Sequence, residues 1–122
     1  MVDSSVWMDH LRRADAELSA LLAARVVLVH PFVMGEIACA SLPNRRQVLN
    51  ELRALPRAPL VPHDDVMDFL DRIAFGGRGI GWVDVHLLAS CLLAGRAPLF
   101  TRDKRLRTAA EELGLSMNRS PH

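Results

Sequence analysis

Lysine is almost missing from this chain of 122 residues: Lys104 is the only one, and the other basic residues are all arginine. Arginine suits planar, two-pronged contact with phosphate, although a GC-rich genome yields the same bias. Cysteine is scarce too. Cys39 and Cys91 lie apart in apolar segments with no C-x-x-C context, which argues against a disulfide scaffold. Both read as small buried hydrophobes, and a reducing, cytoplasmic setting is expected. Long apolar runs are missing as well. The charge-free stretches Val26–Gly35 and Val85–Gly95 fall far short of the ~20 residues that span a bilayer, so no membrane association is expected. Met1-Val2-Asp3 lacks the basic and apolar regions of a secretory leader. There is no repeat and no low-complexity tract. With 50% hydrophobic and 24% charged residues the chain can bury a core, and a single domain over 1–122 is expected, with 118–122 as a frayed tail.

What is present is an alternation of short apolar runs and amphipathic stretches. Met1-Val2, Val26–Val29, Pro98–Thr101 and Leu115–Met117 read as short strands, and Leu60-Val61, between Pro59 and Pro62, as at best an edge strand. Helices are expected over Ser5–Arg13, Asp15–Ala24, Pro31 to about Ala40, Arg45–Leu55 capped by Asn44, and a segment capped by Asp64 or Asp65. That last helix has Val66, Leu70 and Ile73 on one face and Met67 beside them. Two more are expected over Trp82–Ala94, ending at Gly95, and Asp103–Leu113, closed by Gly114. Strands alternating with helices predict an α/β fold around a mostly parallel sheet.

Four acids stand out against this background. Asp3 and Asp103 follow strands. Glu36 and Asp84 sit in the first turns of apolar helices. Ligands in open α/β sheets bind beyond the carboxyl ends of the strands, where all four would meet. Taken singly, Asp3, Asp84 and Asp103 could be helix caps or first-turn acids, but no cap explains Glu36. Four carboxylates in one small site need cations. Hard oxygen ligands select Mg²⁺ or Mn²⁺, and the chemistry implied is metal-assisted phosphodiester hydrolysis. Setting the four acids aside leaves ten acids against fifteen bases, a surface suited to a polyanion.

The segments Val2-Asp3-Ser4-Ser5-Val6-Trp7, His30-Pro31 with Gly35-Glu36-Ile37, Asp84–Ala89, and Thr101-Arg102-Asp103-Lys104-Arg105-Leu106 resemble, in order and spacing, the motifs of PIN-domain ribonucleases, specifically the VapC-type toxins. The resemblance implies a three-layer α/β/α sandwich around a short, mostly parallel sheet. It also implies a Mg²⁺-dependent endoribonuclease that attacks RNA, with a tRNA or rRNA loop as the family-level substrate, and that is neutralised by a VapB-type antitoxin. Asp3, Glu36, Asp84 and Asp103 would be the catalytic and metal-binding acids, with Ser5 and Thr101 supporting them. A second acid found in some relatives near Asp103 is here Lys104 or Arg105, which leaves one or two metal ions open.

Arg102, Lys104 and Arg105 are candidate phosphate contacts. Arg78, in the glycine loop Gly76–Gly81, could reach substrate, or that loop could be a plain connector. The loop lacks the Walker lysine and follows a helix, which excludes a phosphate loop. Trp82 could stack on an unpaired base or pack over the edge of the site. His86 points about 200° around its helix from Asp84 and is not expected to bind metal. Leu11, Leu18, Leu21 and Leu22 read as core, and the apolar face they make, with Trp7, is compatible with a homodimer or antitoxin surface. The alternative is a PIN-like module that binds RNA or protein without cutting.

Overall fold

Seven helices make up most of the molecule. The computed structural model describes residues 1–73 and 79–117, and the statements below concern these. The helices are α1 (Ser4–Arg12), α2 (Ala16–Ala23), α3 (Pro31–Cys39), α4 (Arg45–Arg53), α5 (His63–Ile73), α6 (Trp82–Leu93) and α7 (Lys104–Glu112). Each expected helix is present within a residue or two.

Their starts follow local chemistry. The Asp15 carboxylate accepts from the Leu18 N–H at 2.8 Å and caps α2. At α3, His30 takes the cap position, its Nδ1 accepting from the Phe32 N–H at 2.9 Å, with Pro31 pre-set in the first turn. Two expectations change. Asn44 precedes α4 in a left-handed conformation, and its side chain makes no cap bond. Helix α5 begins at His63, so Asp64 and Asp65 sit in its first turn and act on the dipole rather than as caps. Gly95 and Gly114 follow α6 and α7 with φ of +71° and +72°, the left-handed stop a Cβ would strain.

The sheet is sparser than the sequence predicts. The strands shrink to single parallel bridges, Val2 with Phe100, Leu99 with Ser116, and Val29 with Arg57. Segment 99–100 lies between the N-terminal segment and segment 115–117. The Asp3 N–H donates to the Phe100 carbonyl and the Phe100 N–H to the Met1 carbonyl, both at 2.9 Å. Val26–Val29 is not a buried strand throughout. Val26 is 60% exposed, and its N–H is taken by the Leu21 carbonyl at the end of α2. Leu60-Val61 forms no strand. Pairing with Val29 occurs at Arg57 and goes no further, because the next donor on the Val29 side would be Pro31, which has no N–H and opens α3, and Leu60 is exposed.

The buried residues form one continuous cluster. Helix α1 packs on α3, α3 on α4, and α5 on α6. In α6 every residue from Val85 to Cys91 is buried, as expected of a helix covered on all sides. Leu18, Leu106, Ala109 and Ala110 are in the core as the periodicity predicts, while Leu11, Leu21, Leu22 and Leu113 are partly buried against it. In α5 the buried residues are Val66 and Phe69, and Met67 is exposed. Cys91 is buried, but Cys39 is exposed at the last position of α3, against the expectation of two buried thiols. No helix of the described residues is long and apolar enough to cross a membrane. Arg78 and the tail 118–122 lie outside the described residues.

Candidate active site

The first acid is set by the N-terminal bridge. Asp3 leaves the pairing with Phe100 and begins α1, yet its carboxylate caps nothing. It is 5% exposed and held by two hydroxyls. Ser5 Oγ and Thr101 Oγ1 each donate to Oδ2 at 2.8 Å. Those hydroxyls also accept backbone donors, Ser5 Oγ from the Arg102 N–H at 3.2 Å and Thr101 Oγ1 from the Asp103 N–H at 3.1 Å. Segment 101–103 and the start of α1 are thereby stitched around one carboxylate. Ser5 and Thr101 thus stand beside Asp3, where the family resemblance put them.

Asp103 begins α7 and does cap it. Its Oδ1 accepts from the Arg105 N–H at 2.9 Å and the Leu106 N–H at 3.1 Å. The cap reading and the site reading are therefore compatible, because both cap bonds fall on one oxygen. Asp84 lies in the first turn of α6, half-buried. Its carboxyl is pushed up to about 6, first by burial and then by the charge of Asp3, with smaller contributions from Asp103 and Glu36; a backbone hydrogen bond from Gly81 opposes the rise. All three other acids thus lie near enough to act on Asp84. Glu36 is exposed on α3.

Among the described residues, no three His, Cys, Asp or Glu side chains stand close enough to clasp one ion directly. The carboxylates are hard oxygen donors, the kind that suits Mg²⁺ or Mn²⁺.

The candidate phosphate contacts divide. Arg102 differs from expectation, since its guanidinium is engaged within the protein. Nη1 bonds Asp9 Oδ2 at 2.9 Å, Nη2 bonds Asp15 Oδ1, and the group lies 5.4 Å from the Phe100 ring centroid. Arg107 Nη2 donates to the Thr101 carbonyl at 3.2 Å. Lys104 and Arg105 are exposed and line a cleft of about 200 Å³ with Ile80, Thr108 and Ala109. The Arg105 guanidinium lies against Gly79, where a Cβ would meet Nη1 at 2.6 Å.

Sequence reasoning missed a file of rings at the starts of α3, α5 and α6. His30, Phe32, His86, Trp82 and His63 form a connected file. Trp82, His86 and Ser90 recur at i, i+4 and i+8, a polar and aromatic stripe in an otherwise apolar helix that was open to detection. Asp9 and Asp15 as partners of Arg102 carried no such signal, being far from it in sequence.

The PIN domain family model matches residues 1–112. Among curated proteins, the chain is 45% identical over 117 residues to the protein named Ribonuclease VapC32 from Mycobacterium tuberculosis, in each of two strains. The match covers 96% of this chain and 94% of the relative. No solved structure matches. The seven helices are compatible with that match, and the chain belongs to the PIN-domain family, in its VapC-type branch.

Proposed function

We propose that the protein is a Mg²⁺-dependent endoribonuclease toxin, with Mn²⁺ as a possible substitute, that hydrolyses RNA phosphodiester bonds in the cytoplasm and is neutralised by a VapB-type antitoxin. The observation that carries the reading is Asp84, half-buried, with its carboxyl raised to about 6 first by that burial and then by the charge of Asp3, with Asp103 and Glu36 adding to it. A folded protein that holds four acids this way stores repulsion, which a divalent cation relieves. The ribonuclease name of the relatives supports RNA as the substrate.

Asp3, Glu36, Asp84 and Asp103 are the residues that would hold the metal. Bound there, Mg²⁺ neutralises the acids, lowers the pKa of a water and offsets charge on the phosphate. Ser5 and Thr101 fix the angle of the Asp3 carboxylate. Asp103 has its direction set by its own helix cap. In the overall reaction water adds to phosphorus and the P–O3′ bond breaks, leaving a 5′-phosphate and a 3′-hydroxyl. Lys104 and Arg105, the cations of the cleft, would contact the RNA backbone, with Arg78 reaching in from its loop. A tRNA or rRNA loop fits, since unpaired loops are where side chains read RNA. A homodimer completes the proposed assembly.

The test is cleavage of total cellular RNA by purified, antitoxin-free protein with Mg²⁺, with EDTA, and with Asp84→Asn. Discrete fragments from the wild type with Mg²⁺ alone are expected. Asp84→Asn should lose more than about 100-fold in rate, beyond what loss of an outer-shell group costs. A folded wild-type protein that cuts no RNA would return the assignment to a non-catalytic RNA- or protein-binding module.

A further inference from the structure

A file of rings that holds none of the acids runs from the core to the surface across the starts of α3, α6 and α5. Centroid separations are 5.1 Å from His30 to Phe32, 4.7 Å from Phe32 to His86, 4.7 Å from His86 to Trp82 and 5.0 Å from Trp82 to His63. The inner end is fixed. His30 is wholly buried, its Nε2 lies 3.0 Å from Ser90 Oγ, and Ser90 donates to the Pro59 carbonyl at 2.7 Å. The outer end is open, with Trp82 37% exposed and His63, the first residue of α5, exposed as well. Trp82 stands at 86° to His86 and is tilted 51° against His63. The indole is thus wedged between two imidazoles carried by two helices. It has little rotamer freedom left to lose when something settles on it.

Its position is as telling as its exposure. Trp82 and Asp84 share the first turn of α6, two residues and so about 200° apart around it. Ile80, two residues upstream, forms a wall of the cleft that holds Lys104 and Arg105. Five consecutive residues therefore carry a wall of the cationic cleft, the exposed ring and Asp84. A polynucleotide held by its phosphates at the acids and the cleft, and continuing around the start of α6, would bring a neighbouring base over that ring.

We propose that Trp82, buttressed by His63 and His86, is a platform on which an unpaired base of single-stranded RNA stacks beside the bond to be cut, an inference that rests on the ribonuclease reading above. Stacking tolerates any base, because each has a π face, but it requires that the base be free of its partner. The platform thus selects unpaired RNA over duplex by shape, leaving sequence choice to other contacts.

The test uses Trp82→Ala, Trp82→Leu and Trp82→Phe on an RNA carrying the mapped cleavage site, once single-stranded and once in duplex. The Ala and Leu variants should raise KM on the single strand roughly 10-fold, with a smaller change in kcat, and Phe should recover most of the loss. Leu restores apolar bulk over His86 without a π face, so a merely structural role would be rescued by it. Stopped-flow tryptophan fluorescence in Mg²⁺ gives a second readout. The only other tryptophan, Trp7, is 4% exposed. RNA should quench the wild type before cleavage and leave the Trp82→Phe emission unchanged. Wild-type KM in Trp82→Leu, or cleavage with no quenching, would overturn the platform and leave the nuclease reading standing. A changed oligomeric state with unchanged KM would assign the ring to a protein interface instead. Wild-type protein that neither binds nor cuts RNA would remove both readings together.

Discussion

Asp103 gives one carboxylate oxygen to the helix it starts and has the other for the site. Its two roles can be separated by chemistry. Asparagine caps as well as aspartate, but carries no charge. Asp103→Asn should hold stability within a few tenths of a kcal/mol and lose RNA cleavage, whereas Asp103→Ala should also cost about 1 kcal/mol in urea unfolding. A stability loss as large in the Asn variant would show that the cap bonds are not what the carboxylate supplies. Thr101 is a second such test. Its hydroxyl donates to Asp3 and accepts from the Asp103 N–H, and the residue is 4% exposed. Thr101→Val leaves both groups short of a partner, at a cost of about 1–3 kcal/mol by the same measurement.

His30 makes a pH prediction. Burial first, then the charge of His86, lowers its pKa to about 4 from 6.5. Between those values the unfolded chain takes up a proton that the folded chain refuses. This contribution is complete above pH 6.5 and is lost as pH falls toward 4, by about 3 kcal/mol at most. Asp84 acts in the opposite sense, because its raised carboxyl binds a proton first in the folded state. The readout is therefore the difference between wild type and His30→Asn, whose side chain can still cap α3. Unfolding free energies measured from pH 7 to 4 should converge as the pH drops. Parallel curves would show that His30 is not held neutral.

At the scale of elements, α6 illustrates what a helix buried all round needs. Its apolar residues find partners by packing alone, but Ser90 must satisfy a hydroxyl in the core. It does so by joining the His30 ring to the Pro59 carbonyl, which ties α6 to the start of α3 and to the segment before α5. Ser90→Ala should cost about 1–3 kcal/mol in chemical denaturation, because it orphans both neighbours. A near-neutral result would mean that the two groups find each other or water. The helices themselves were legible because several carry a local start or stop, as Asp15, Pro31, Gly95 and Gly114 show. The sheet was not, because pairing is decided between distant segments. Val26 looks like Val29 in sequence, yet its N–H goes to Leu21. The Arg57 bridge carries no β-branched or aromatic signal at all.

At the scale of the whole molecule, the proposed site would couple folding to cation binding. If they share a metal, Mg²⁺ binds the folded chain alone and raises its melting temperature in proportion to the logarithm of its concentration above Kd. Asp84→Asn should melt at or above the wild-type temperature without Mg²⁺, having lost a repelled charge, and should gain less from adding it. Equal shifts in the two proteins, read by calorimetry, would place the cation elsewhere.

The sequence alone determined the seven helices and singled out the four acids whose shared site is proposed above. Caps, glycine stops and the contrast of an acid against an apolar run are local signals, read within a few residues. Only the tertiary structure decided that Asp9 and Asp15 engage Arg102, that Cys39 faces outward and that five rings from three regions line up in one file. Each depends on segments far apart in the chain meeting in space, and burial, on which the raised Asp84 carboxyl and the neutral His30 ring both depend, exists only after they have met.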